Sequence, residues 1–400
     1  GQSTMGTYLS LLCLWCVSLC LGGSILSANI TCPEDTFNPA PHFGAALSVS
    51  ADWAMVSASQ EWRSDTDETE AGAVFMYHDV DGAWVYHSRL PPPTDSPTLG
   101  MVGGVIAIDG DYAAVGSSTL DNMGKAQSST VGVYQWDNTQ WNLVQQIDSP
   151  DSVGRPMSGY SLAMGGGVLV IGYPNAKGND GNALVYRLTD AVYVYETELN
   201  LDDIYPAEKL GTTCTVSADG SRIILGTYNS SVWSAGNTPV FDYVGDEWQF
   251  TALLFVDTDY YPTPLCVSDN NAYIAAGCPG SWPGGDVYLF ELDTTDYAGT
   301  VHSYQRIDGE TPDKEFGESL AMTSDGGLLA INVGKLDQFY IYKRAYNGGY
   351  CQVQVENGWS RSSVGASLAF ARSDSILLAG APGYMRGEGV VGVYDISLLD

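Results

Sequence analysis

Apolar and polar residues alternate at a period of two through most of this chain, in short runs broken by Gly, Asp and Asn. Ala73–Tyr77, Val131–Trp136, Ala183–Leu188, Val287–Leu292 and Phe339–Lys343 are such runs. Each predicts a half-buried strand ending in a tight turn. A second set, including Trp84–Leu90, Trp141–Ile147 and Trp248–Val256, follows the first across turns. Beyond the N-terminal apolar run, no long stretch carries the helical period.

The strands fall into a repeat of roughly fifty residues. Gly159–Met164, Gly317–Met322 and Gly365–Phe370 read Gly-x-Ser-Leu-Ala-Met/Phe, and Gly44–Val49 is a looser copy. Seven copies open at Phe43-Gly44, Val102-Gly103, Ser158-Gly159, Leu210-Gly211, Tyr261-Pro262, Phe316-Gly317 and Val364-Gly365. Their second strands end at Ser57, Gly116, Gly172, Gly226, Gly277, Asn332 and Gly380. That interval is fourteen residues in three copies and sixteen in four. An even insertion in a hairpin leaves every later side chain on its face, so the copies agree physically. The expected fold is all-β, a seven-bladed β-propeller of four-stranded antiparallel sheets spanning residues 29–400.

The last copy is one strand short, reaching a third strand at Val390–Ile396. A closed ring leaves no free edge, so Ser27–Phe37 is expected to complete the last blade. A frayed N-terminus with an open last blade is the alternative.

Composition narrows the partners. Lys and Arg number 16 against 47 acidic residues, a net charge of −31. Nucleic acid is therefore a poor partner and an anionic membrane surface is disfavoured, since both need basic stripes; no nucleic-acid partner is expected, and no membrane beyond an N-terminal anchor. Residues 1–28 carry the apolar run Tyr8–Ala28 and read as a secretory signal peptide cut after Ser24 or Ala28. An uncleaved signal anchor is the other reading, as no Lys or Arg precedes Arg63. Either places the chain outside the cell or on its surface. Five cysteines lie beyond that segment: Cys32, Cys214, Cys266, Cys278 and Cys351. Cys32 and Cys351 would fall on neighbouring blades, where a disulfide and two buried thiols are both open. Asn29-Ile30-Thr31 and Asn229-Ser230-Ser231 are glycosylation sequons.

The phrases Phe43-Gly44 and Phe316-Gly317, with Gly172-Tyr173-Pro174, Gly277-Cys278-Pro279 and Gly380-Ala381-Pro382 downstream, resemble the FG-GAP repeat. Integrin α-subunit heads are built from that repeat. The resemblance spans about Phe43–Asp400 and implies a recognition protein binding protein or glycan outside the cell. It also implies calcium held in Asp-rich hairpins between the first and second strands. Here those hairpins are short, as at Ala51-Asp52, Asp109–Asp111, Asp219-Gly220, Asp269-Asn270, Asp325-Gly326 and Ser373-Asp374. Each offers one or two carboxylates where calcium takes six to eight oxygens, so no cofactor is expected. A cation could be held loosely by Asp65, Asp67, Glu68 and Glu70.

Ser161, Ser319 and Ser367 stand in Gly-x-Ser-x-Ala phrases that look like a nucleophile elbow. A catalytic serine is needed once, and these recur at equivalent positions, so they read as architecture. His42, His78, His87 and His302 lack metal-ligand spacing, and His78 and His302 fall in strands. No catalytic residue is assigned. Ligands are expected on the face bearing the loops after each second strand and the links between blades. Those loops hold Trp62, Arg63, Trp233, Trp282, Tyr384 and Arg386, and the links hold Arg155, Tyr260 and Arg361. The expected function is a non-catalytic recognition or adhesion module. The alternatives are a structural subunit of a surface layer or appendage, and a carbohydrate-active enzyme using carboxylates.

Overall fold

The computed structural model describes residues 24–33, 42–58, 72–93, 99–120, 126–149, 161–201, 209–227, 237–256, 264–292, 299–312, 314–371 and 374–399. Among these, strands form seven sheets, five of them drawn from a single repeat. Blade one comprises Phe43–Ser50, Trp53–Ala58, Ala73–Val80 and Ala83–Arg89, paired in chain order from the inner strand outward. Blade seven takes Ser367–Ala371, Ile376–Ala381 and Val390–Asp395 from the C-terminal repeat, and its outer strand is Leu26–Ile30 from the far end of the chain. The ring is thus a seven-bladed β-propeller closed by its N-terminal strand, as expected from the missing fourth strand.

Seven apolar clusters hold it together, one between each neighbouring pair of blades. The period-two pattern explains how a single strand serves two of them. On the second strand of blade three, Leu169 and Ile171 pack toward blade two, while Val168 and Val170 pack toward blade four. Every middle strand is therefore apolar on both faces, as in the fully buried Trp53–Ala58 and Val168–Tyr173. The seventh cluster joins Ala371, Ile376, Leu378, Val391 and Val393 to Phe43, Val56 and Phe75, so first and last blades meet.

The repeated phrase can now be read physically. Its bulky opener fills the seam between blades, with Phe43 fully buried and Phe316 nearly so; each such ring contributes about 1.5–3 kcal/mol of burial. The following Gly44, Gly211, Gly317 and Gly365 have φ of 84–90°. Side-chain-bearing residues rarely adopt that conformation.

Two expectations need correction. Blade four has five strands, because Gly299–His302 leaves blade five and adds in parallel to the outer strand Glu247–Phe255. Blade five is then completed by Gln305–Asp308. No disulfide joins Cys32 to Cys351. Cys32 packs into the cluster between blades seven and one, whereas Cys351 lies on the outer strand of blade six, so the sheet of blade seven stands between them. Of the segment 1–28, residues 24–28 belong to blade seven. A cut after Ala28 would run through its outer strand.

Candidate functional site

Seven copies of one unit make the molecule its own control. Residues that obey the repeat serve the ring, and residues that break it are candidates for chemistry.

The serines obey it. Ser161 Oγ donates to the Gly211 carbonyl of the next blade at 2.9 Å, and Ser367 Oγ to the Gly44 carbonyl at 2.8 Å. They are latches between blades, as their recurrence implied. The glycine ending the second strand belongs to the same latch: a Cβ on Gly172, Gly277 or Gly380 would run into the carbonyl of Gly211, Gly317 or Gly44.

The Asp-bearing hairpins obey it too, forming a collar around one mouth of the ring. Ser50 Oγ accepts from Gly110 N at 2.9 Å, and Asp109 Oδ2 from Gly167 N at 3.0 Å. Asp219 Oδ2 accepts from Asn271 Nδ2 at 3.0 Å, and Asp374 Oδ2 from Ser324 N at 2.9 Å. Burial pulls the Asp219 carboxyl upward. It is outweighed by donors from Ser217, Ser221 and Asn271, which hold it at about 2. Asp269 is held above its usual range by desolvation and by Asp374. These carboxylates close turns and clasp neighbours.

The opposite face carries the exceptions, and they cluster on blades five and six. One residue past each opening glycine stand Ala45, Gly104, Tyr160, Thr212, Glu318 and Ala366, with Thr263 at that place in blade five. Glu318 is the single carboxylate. Its side chain is exposed, yet surrounding chain desolvates it, and with Glu315 this raises its pKa against the pull of Lys335. Gly334 leaves room for the Glu318 side chain: a Cβ there would run into Glu318 Oε2. Lys335 Nζ pairs with Glu315 Oε1 at 2.7 Å.

Blade five adds an ion triad. At the loop end of the third and outer strands, other blades carry a single acid or none, as in Thr130–Asp148 and Gln338–Asn357. Blade five instead sets Asp286, its side chain 2% exposed, 3.1 Å from Arg306, which also meets Asp308 at 2.5 Å. Burial lifts the Asp286 carboxyl above its usual range despite Ser281 and Arg306. The adjacent loop is sewn to blade six. Gly285 N donates to Ser281 O at 2.7 Å, and Phe316 N to Gly284 O at 2.9 Å, two residues before Glu318. Trp282 projects from that loop 79% exposed.

Of the residues expected on this face, Trp282 is open to solvent. Tyr384 is half-buried and folded onto Trp359, ring centroids 4.8 Å apart. The backbone of Arg361 is tied to the Asp337 carboxylate, and Arg386 lies in the short turn Tyr384–Gly387. Asn29 is exposed on the outer strand of blade seven. Trp62, Arg63, Trp233, Arg155, Tyr260, Asn229, Asp65, Asp67, Glu68 and Glu70 lie outside the described residues. His78 packs on Trp53 and His302 on Phe255, both in strands. Glu318, Asp286 and Arg306 were missed by the sequence reading. The signal was present in the aligned repeats as the one acid in its column.

No protein-family model matches the chain, and no curated protein matches it. Solved structures do. A "putative 6-phosphogluconolactonase" from Bacteroides uniformis is 16% identical at a TM-score of 0.59, covering 86% of this chain and 92% of its own. Another, from Bacteroides fragilis, is 12% identical at 0.57, covering 86% and 91%. The β-propeller domain of Cps50 (Swd1) from Myceliophteria thermophila is 10% identical at 0.60, covering 94% and 100%. At these identities the likeness shows the fold. It also corrects the expectation of a non-catalytic recognition or adhesion module, because rings of this build include proteins described as lactonases. The FG-GAP likeness rests on the phrases quoted above; these neighbours are not specifically of that family.

Proposed function

We propose that the chain is a carbohydrate-active hydrolase that opens the lactone ring of a sugar acid, with Glu318 as its base. One observation carries the reading: Glu318 is the lone carboxylate in its column of the repeat, at a crowded mouth that raises its proton affinity. A base with a raised pKa transfers protons better near neutrality. The fold shared with proteins described as phosphogluconolactonases supports the substrate class. Against a phosphorylated substrate stands the net charge of −31, which disfavours an anion, so an uncharged sugar lactone fits this chain better.

The Glu318 carboxylate takes a proton from water as the water oxygen bonds to the lactone carbonyl carbon. Lys335, near enough to oppose the shift of Glu318, supplies positive charge to the oxyanion. Collapse breaks the ring C–O bond, and the proton on Glu318 passes to the departing ring oxygen. One water is consumed, and one carboxylic acid and one hydroxyl are formed. Trp282, on the loop sewn to the Glu318 strand, offers a flat platform to the sugar ring.

Acid release from glucono-δ-lactone in a pH-stat tests the reading, with the 6-phosphorylated lactone as second substrate. Glu318→Gln should lower kcat/KM by about 10²–10⁴-fold. Equal rates for the variant and the parent would refute it.

A further inference from the structure

The N-terminal strand is received by a buried carboxylate. Glu356, on the outer strand of blade six, is 1% exposed. Its Oε1 accepts from Ile25 N at 3.1 Å and its Oε2 from Ser24 Oγ at 2.8 Å. Gln354 Nε2 adds a third donor at 2.6 Å. Among the described residues every donor to it is neutral, although a buried carboxylate is costly without a positive partner.

Other blades show how the outer strands ordinarily meet. In blade two, Gln145 clasps the next outer strand by accepting from Tyr193 N and donating to Tyr193 O, both at 2.8 Å. In blade five, Gln305 does the same to Tyr350 at 2.7 and 3.0 Å. A neutral amide suits a neutral peptide. At the corresponding register of blade six stands Gln354, opposite Ile341 as Gln145 is opposite Val133. Gln354 turns its N–H to Glu356 instead, and the group facing the incoming strand is a carboxylate. The Ile25 carbonyl is taken by Asp395 N at 3.0 Å, which fixes Ile25 on both sides.

We propose that a leader peptidase cuts the chain between Ser24 and Ile25, and that the new α-ammonium of Ile25 forms an ion pair with Glu356. Water adds across the peptide bond, leaving a carboxylate on Ser24 and an ammonium on Ile25. The ammonium has three N–H donors for the two oxygens that Ile25 N and Ser24 Oγ meet in the uncut chain. Gly22 and Ser24 put small residues third and first before the cut, as leader peptidases require, whereas a cut after Ala28 puts Leu26 third. The Ala28 cut would also strip Glu356 of Ile25, which the cut after Ser24 keeps.

The test begins with N-terminal sequencing of the full chain secreted by an expressing host. A start at Ile25 is expected; a start at Ser24 or Asn29, or a retained leader, overturns the proposal. Charge is tested by the Tm gap between the parent and Glu356→Gln. Pairing raises the α-amino pKa above its unfolded value of about 8. The contribution is therefore full below that pH and is lost as pH rises through the folded value. Among the described residues Tyr394 also faces Glu356; its pKa is raised above 10 by burial and then by Glu356, so it titrates later. The gap should be several degrees at pH 7 and narrow by pH 10; a gap constant with pH overturns the pair. Acylation of the α-amine at pH 7.5 reads the parent protein alone. The folded chain should react about tenfold more slowly than the urea-unfolded chain, the effect of one pKa unit. Equal rates overturn the pair.

Discussion

Gly380→Ala is expected to loosen the seam where the ring closes. Gly380 ends the second strand of blade seven, and its missing Cβ leaves the space taken by blade one. A Cβ there would stand 3.0 Å from the Gly44 carbonyl carbon and closer to its oxygen, and would meet Ser367 Oγ. Neither neighbour can swing aside. Gly44 is backbone at φ 89° with Val390 O filling the space where its own Cβ would stand, and Ser367 Oγ is held at 2.8 Å to Gly44 O. Forcing a methyl group into such packing costs about 1–3 kcal/mol. Breaking the Ser367 hydrogen bond adds about 1 kcal/mol. The sum, about 2–4 kcal/mol, lowers Tm by about 4–8 °C at roughly 2 °C per kcal/mol for a large domain. Ser367→Ala loses the hydrogen bond alone and should fall by about 2 °C. Gly348→Ala is the converse case, a left-handed backbone (φ 88°) with no atom within 4 Å of its Cβ position, whereas Gly380 lies outside the left-handed region and is crowded; it should cost about 1 kcal/mol. The assay is thermal unfolding by calorimetry and far-ultraviolet circular dichroism. If Gly380→Ala falls no further than Gly348→Ala, the carbonyl-in-glycine latch is wrong.

Other outcomes follow from the same geometry. For lactone opening, the acidic limb of kcat/KM should lie above the ordinary Glu pKa of 4.5, because Glu318 must be ionised and its pKa is raised; a limb at or below 4.5 would refute its role as base. Trp282→Ala should raise KM for the sugar lactone and spare kcat, since the platform binds ground and transition states alike; a loss confined to kcat contradicts this. Asp219 titrates at about 2 when folded against 3.8 unfolded, so its stabilisation is present above pH 4 and lost as pH falls toward 2. Asp219→Asn should therefore cost about 1 kcal/mol at pH 7, after discount for solvent screening, and nothing near pH 2. A urea series at both pH values checks it.

Much of the ring was legible because its physics is local and repeated. Alternation marks a strand with two different faces, and even insertions preserve those faces, so seven phrases imply seven sheets. The missing fourth strand of the last copy pointed to the N-terminus for the same reason: an open edge is a liability. The parallel strand Gly299–His302 was not legible. Its partner Glu247–Phe255 belongs to the preceding repeat, and nothing in four residues names a distant edge. Of the two readings left open at Cys32 and Cys351, the disulfide falls on a similar point. Being on neighbouring blades does not say which face of a blade a cysteine takes, and Cys32 faces blade one.

Function divided along the same line. Recurrence read Ser161 and Ser367 as architecture, and both bond a carbonyl of the neighbouring blade. The exposed aromatics were chosen by residue type, which does not report whether a ring stands free, as Trp282 does, or lies against a neighbour, as Tyr384 does on Trp359.

By itself, the sequence determined the number of blades, the faces of each strand and the glycines that neighbouring carbonyls require, because these follow from short-range periodicity and backbone sterics. Only the tertiary structure decided how far each acid is buried and what it meets. Glu318, Asp286 and Glu356 differ from the other carboxylates in burial and in company, and both are properties of the closed ring. A proton's affinity for a carboxylate depends on the water removed and the charges brought near, and the chain sets neither until its two ends meet in one sheet.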